Sequence, residues 1–431
     1  MISERILSRA VQTMNGHYLN MKPYRFDSLP PPDSSRTYML YAHVPFCVSL
    51  CPYCSFNRFP FEEKKAREYF ASMRREIRML AEAGYDFESM YIGGGTPTVL
   101  PDELSETVRL ARSLFSIREV SAETNPNHLN PEFLDPLRGL IDRMSVGVQS
   151  FDDGLLRRMC RYEKYGSGDE IRERLKACSS EGIFKTLNAD MIFNYPTQTE
   201  EMLLYDLEQI RACGCNQATF YPLMVSPAVK HTLEKALGVV DCAREKQLYE
   251  LICRELTEGP EAEFRFGSAW TFNRTEAALI DEYVVDYEEY AAVGSGGMSF
   301  LNREYLVNTF SLEQYSRKIG EGRVSVSGSV KFSRRDHMRY RFMMQLFGLR
   351  LDRRKWKRDF GCSVAEGLPA EYLFLKAAGA FEQDNEDGIT LSAKGRYLMV
   401  AMMRQFFIGV NSVRDAARKE AGIDLSQMVS G

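Results

Sequence analysis

Residues 38–54 read YMLYAHVPFCVSLCPYC, a short β-rich run that delivers three cysteines, Cys47, Cys51 and Cys54, onto the loop behind it. The spacing is C-x3-C-x2-C. Three thiolates on one loop can hold three irons of a [4Fe-4S] cluster and leave the fourth iron without a protein ligand. A zinc site is the alternative, and it needs a fourth ligand, for which His43 is the nearest candidate.

Outward from this stretch the chain alternates strand and helix patterns. A helix is predicted from about Glu62 to Ala83, where Ala66, Tyr69, Phe70, Met73, Ile77 and Leu80 form one apolar stripe and Gly84 supplies the stop. The next strands read SMYIGG, EVSAE, RMSVGV, TLNADMIF and ATFYPL, each separated from the last by helical sequence. Right-handed crossovers between parallel strands then predict an α/β fold, a partial (β/α)6 barrel with its chemistry at the C-terminal ends of the strands.

Three regions follow. Residues 1–36, with Leu29-Pro30-Pro31-Pro32, read as an extended N-terminal extension. Residues 37–330 hold the barrel and its extension strands. Residues 331–431 turn to helical patterns such as RYRFMMQLFGLRL, predicting a small α-rich C-terminal domain with a winged-helix arrangement as one option.

Composition narrows the function. Among 431 residues, 55 basic against 59 acidic side chains leave a net charge of −4, which provides no field for holding a polyanion. No apolar run reaches the roughly 18 residues of a membrane span. The start MISERILSRAVQ carries charge where a secretory signal is apolar, so a cytoplasmic location is expected, with the ten cysteines as thiols or metal ligands. Cys213 and Cys215 read as reduced structural thiols.

The segment Tyr41-Ala42-His43-Val44-Pro45-Phe46-Cys47, with Cys51, Pro52, Tyr53 and Cys54, resembles the opening of the radical S-adenosylmethionine (SAM) enzymes related to oxygen-independent coproporphyrinogen dehydrogenase. The resemblance continues through Gly93-Gly94-Gly95-Thr96-Pro97, Glu123-Thr124-Asn125-Pro126, Gly147-Val148-Gln149-Ser150-Phe151 and Asn188-Ala189-Asp190-Met191. It implies a radical SAM barrel, a [4Fe-4S] cluster on Cys47, Cys51 and Cys54, and two SAM molecules. Tyr41, Gly94, Glu123 and Met298 fall where the family contacts the first SAM. Tyr53, Gly95, Thr96, Gln149, Arg161, Asp190 and Pro222 fall where it contacts the second. The implied chemistry begins with an electron from a flavodoxin or ferredoxin. Cleavage of the first SAM gives a radical that activates the methyl group of the second, with Tyr53 and Asp190 as candidates for the final proton transfer.

Phe56 stands where the coproporphyrinogen dehydrogenases carry a further cysteine, which lowers porphyrinogen oxidation in rank. The CSFNR, SAWTFNR and MMRQFFIGVNSVRD runs most resemble the methyltransferase branch that acts on C8 of menaquinone. The other branches are an anaerobic haem-degrading methyltransferase and coproporphyrinogen dehydrogenase-like or haem-trafficking proteins. A planar apolar substrate would suit an aromatic slot of Phe56, Tyr221, Trp270 and Phe272, whose alternative is core packing. A membrane-held quinone also implies transient contact with the inner face of the membrane. The apolar stretch YLMVAMMRQFFIGV is the candidate patch, against a buried helix as the alternative.

Overall fold

The run 38–44 forms strand β1 (Tyr38–Val44), and all seven residues are buried, as a strand covered on both faces requires. The computed structural model describes residues 2–423 apart from positions 226, 228–229, 260–261, 277–278 and 280–281. Strands β2 (Ser89–Gly94), β3 (Glu119–Thr124), β4 (Arg143–Gln149), β5 (Thr186–Phe193) and β6 (Gln217–Pro222) follow β1 in spatial as in chain order, every neighbouring pair parallel. This is the predicted α/β arrangement of six successive parallel strands. Its register sets Tyr41 beside Tyr91, Glu123 beside Ser145 and Gly147 beside Asp190, so the chemically active positions share one rim.

The sheet stays open. On one side Thr271–Asn273 adds antiparallel to β6. On the other, β7 (Glu289–Val293) runs parallel to β1, and β8 (Met298–Leu301), β9 (Glu304–Asn308) and β10 (Val326–Lys331) continue antiparallel. The predicted helix is present as Glu63–Glu82, with its whole apolar stripe buried. Glu76 is buried on that same face, where its carboxylate accepts from the Gly294 N–H and the Tyr315 hydroxyl, both at 2.8 Å. These bonds fasten the helix to the turn after β7 and to the helix Leu312–Gly320.

The C-terminal segment runs helix Arg334–Phe347, strand Arg350–Asp352, helices Arg353–Phe360 and Pro369–Ala377, strands Phe381–Asp384 and Gly388–Leu391, and helix Ala393–Glu420. The three short strands pair antiparallel, with Gly388–Leu391 between the other two. Tyr397 to Phe406 of the last helix are buried, so this stretch is core and offers no membrane-facing patch. No helix among the described residues is long and apolar enough to cross a membrane.

One expectation needs correction. Residues 2–18 of the N-terminal extension form a helix (Ile2–Tyr18) rather than an extended lead-in. The prolines at 30–32 break only the chain that follows. Upstream, Leu7 and Val11 bury at i,i+4 spacing, and Asn15 Nδ2 donates to the Gln405 carbonyl at 2.8 Å, so the helix is held by a surface far away in sequence.

At the end of β4, Asp206 accepts from the Ser150 hydroxyl at 2.9 Å and the Phe151 N–H at 2.6 Å. Burial raises its carboxyl from 3.8 to about 7, despite the opposing pull of those bonds. The folded state therefore holds the proton more tightly than the unfolded chain does. Stability from this group is full below 3.8 and is lost as pH rises through about 7. Urea unfolding across this pH range should show the protein losing stability relative to Asp206→Asn as pH rises.

Candidate active site

A cavity of about 360 Å³ lies at the C-terminal ends of the parallel strands. It is built first from the cysteine loop. Phe46–Cys47 pairs with Phe59–Pro60, which pins both ends of the loop. The turn after β2 passes directly beneath. A Cβ on Gly95 would meet the Phe46 carbonyl at 2.6 Å, and Gly94, at φ +118°, would push one into the His43 ring at 2.7 Å. The glycines thus let β2 and the cysteine loop meet.

His43 does not complete a zinc site. Its Nε2 lies 2.9 Å from the Asn57 carbonyl and so carries the proton, and its Nδ1 accepts from the Tyr41 hydroxyl at 3.0 Å. Both nitrogens are used, and burial lowers its pKa to about 4. The surroundings of the three cysteines suit an anionic group instead. Arg161 donates from Nη1 toward Cys51 Sγ at 3.5 Å, and Thr96 Oγ1 lies 3.6 Å from Cys47 Sγ. Burial pushes the Cys47 thiol up to about 12, with Cys54 adding to the rise. Arg58, Arg161 and Arg418 are all buried, and Arg58 Nε and Nη1, Arg161 Nε and Arg418 Nε have no hydrogen-bond partner. Buried cations with idle donors call for negative charge, which a cluster held by three thiolates supplies. The residues present fit a [4Fe-4S] group on Cys47, Cys51 and Cys54.

Two polar groups flank the loop. In the first, Glu123 accepts from the Gly94 N–H at 3.0 Å and the Tyr91 hydroxyl at 3.1 Å, while Tyr41 stacks on Tyr91. In the second, Arg161 reaches the Gly147 carbonyl, the Tyr53 hydroxyl and Asn125 Oδ1, with its guanidinium over the Tyr165 ring. Burial alone would lower the Arg161 pKa, but Tyr53 and Cys51 beside it hold it above the usual value. Gln149 sits beside this group at φ +75°, where β4 bulges. Asp190 is oriented by the Ser145 hydroxyl at 2.9 Å and Asn188 Nδ2 at 2.8 Å, and Thr219 in turn fixes Asn188. Burial raises the Tyr53 phenol well above its ordinary value, which keeps its proton on at neutral pH.

All fourteen residues expected to hold the cluster or SAM, Met298 and Pro222 included, line this one cavity. Residues 41–210 match the family model described as the Radical SAM superfamily. This part of the chain is a radical SAM domain. The chain is 24% identical over 376 residues to "Heme chaperone HemW" of Bacillus subtilis (strain 168), covering 83% of this chain and 96% of that protein. It is 25% identical over 390 residues to "Oxygen-independent coproporphyrinogen III oxidase" of Escherichia coli (strain K12), covering 84% of each. Among solved structures, coproporphyrinogen III oxidase (HemN) from Escherichia coli superposes with a TM-score of 0.71 at 22% identity, over 92% of this chain and 93% of that one. That likeness establishes a shared fold.

The expected aromatic slot is only half present in the radical SAM cavity. Phe56 and Tyr221 line it, whereas Trp270 and Phe272 are fully buried. Trp270 packs against Phe347 and Phe407, and Phe272 against Phe220 and Phe266, because Thr271–Asn273 is a core strand added to β6. The aromatic wall comes from later in the chain. Tyr283, Tyr290, Tyr305, Tyr340, Phe406 and Phe407 all line the cavity, and sequence reasoning found none of them. Nor did it find Asn411 and Arg414 of the last helix, although both stand in the GVNSVRD run that it singled out for likeness alone.

Anaerobic reconstitution should load about four irons and four sulfides onto this radical SAM site. Iron and sulfide analysis of a variant with Cys47, Cys51 and Cys54 all replaced by Ala should find that cluster gone, and full iron content there would refute the assignment.

Proposed function

We propose that this protein is a radical SAM C-methyltransferase that uses two SAM molecules to methylate an sp2 carbon of a planar, apolar ring, with C8 of menaquinone as the substrate position. The observation that carries the reading is the pairing of two separate polar groups with one aromatic wall around a single cavity. The group centred on Glu123 suits a first SAM against the cluster, and the group of Gln149, Arg161 and Asp190 suits a second. When bound, the cluster, reduced by a flavodoxin or ferredoxin, supplies one-electron cleavage of SAM. The chain itself binds, orients and excludes water. Ser145 and Asn188 orient Asp190, and Phe406, Phe407 and Val410 of the last helix close the cavity with apolar surface.

Phe56 supports a ring substrate other than coproporphyrinogen. Its ring lines the cavity beneath the Arg414 guanidinium, at the position where the porphyrinogen branch has a thiol. A second reading, the handling of haem or another tetrapyrrole, is favoured by the two relatives named for haem and coproporphyrinogen, which align with most of this chain. Product analysis separates them. Anaerobic incubation with SAM, reductant and menaquinone should release both 5′-deoxyadenosine and S-adenosylhomocysteine, and the quinone should gain the mass of one CH2. An unmodified quinone beside SAM-dependent conversion of haem or coproporphyrinogen would move the assignment to the second reading.

The two SAM roles are separable at Asp190. Asp190→Ala should suppress methyl transfer about tenfold or more while 5′-deoxyadenosine formation falls much less, in line with loss of a charged hydrogen-bond acceptor from the second subsite. Equal loss of both products in folded protein would place Asp190 with the first SAM.

A further inference from the structure

The aromatic wall of the cavity carries one basic side chain whose hydrogen-bonding capacity is largely unspent. Arg414 lies on the last helix where it crosses the cysteine loop. Its Nη1 donates to Asn411 Oδ1 at 2.9 Å, and its guanidinium carbon sits 4.4 Å from the centre of the Phe56 ring. Asn411 is itself held, accepting from the Ser55 hydroxyl at 2.8 Å and donating to the Met224 carbonyl at 3.4 Å. The guanidinium is therefore fixed by a ring face and by a clamped amide. Among the described residues nothing accepts from its Nε or Nη2, and no carboxylate pairs with it.

The neighbouring hydroxyls are differently placed. Tyr290 and Tyr340 bond each other at 3.2 Å, and Tyr305 points to Met298 Sδ at 3.2 Å. A planar ring entering this wall meets apolar faces and one oriented cation with spare N–H groups. Building on the ring-substrate reading above, we infer that Arg414 is the substrate's polar anchor, donating to an oxygen acceptor on the ring's edge, with Phe56 and Asn411 aligning the guanidinium. The acceptor is a ring carbonyl in a quinone or a carboxylate in a tetrapyrrole.

The test is equilibrium binding to the reconstituted full chain with SAM present, using menadione as the carbonyl probe and coproporphyrin as the carboxylate probe. Arg414→Gln should weaken menadione binding about tenfold, as expected for loss of a charge-assisted donor, and Arg414→Lys, which keeps charge without the planar fork, should fall between. Circular dichroism checks folding, and Arg414→Lys carries the comparison if Arg414→Gln is unstable. Unchanged affinity of the folded variants for both probes, or failure of the unmodified protein to bind either, overturns the anchor. Arg414-dependent binding of coproporphyrin alone upholds the anchor and removes menaquinone as its substrate. Arg414-dependent binding of menadione without any methylated quinone upholds the anchor and refutes the proposed reaction.

Discussion

The cysteine loop is held in place by buried guanidinium groups, and the rest of the site depends on that arrangement. Residues 48–58 contain little regular structure of their own. Arg58 donates to the Cys54 carbonyl at 3.0 Å, Arg161 approaches Cys51 Sγ at 3.5 Å, and Arg418 reaches from the last helix to the carbonyls of Ser55 and Phe56. A planar, permanently charged donor can satisfy several such acceptors at once, whereas the loop's own backbone closes the Cys54 N–H to Cys51 carbonyl bond at 3.2 Å and leaves the carbonyls of Cys54, Ser55 and Phe56 to the arginines. The crowding has a cost. Burial, with Arg414 nearby, lowers the Arg418 pKa to about 10, and Asp415 at 3.0 Å offsets part of that charge. Charge of opposite sign on the cysteines would balance the rest.

This explains why the C-terminal segment cannot be regarded as an appendage. Its last helix supplies the arginine that fixes the loop, the asparagine that meets Ser55, and the phenylalanines that close the cavity. The same helix is gripped from behind by the N-terminal helix through Asn15 and Gln405, and from the side by the buried pair of Arg404 and Glu245 at 2.8 Å. Truncating one partner of such a buried pair strands the other charge, so these contacts tie the geometry of the wall to the integrity of the barrel.

The open sheet has a comparable consequence. A closed barrel would fill its centre with layers of side chains. Here six parallel strands stop short of closure, β7 joins on one side and a short antiparallel strand on the other, and the rim stays wide enough for the polar groups at Glu123 and Asp190 to face one space. The left-handed backbone of Gln149 and the bulge beside it belong to the same solution, since a regular strand end would turn that side chain to the other face.

Much of this was legible in sequence for a local reason. Strand alternation, the helix stripe from Ala66 to Leu80, and the C-x3-C-x2-C spacing are short-range patterns, and each constrains only neighbouring residues. They determined the parallel α/β order and the cysteine loop, and the resemblance to the radical SAM enzymes picked out the strand-end residues that share its cavity. Only the tertiary structure decided the aromatic wall, the helical N-terminus, the burial of Trp270 and Phe272, and the meeting of Arg414 with Phe56. Those contacts join positions far apart in the chain, 390 residues for Asn15 and Gln405. Their strength comes from burial against a distant surface, and no local periodicity encodes which distant surface that will be.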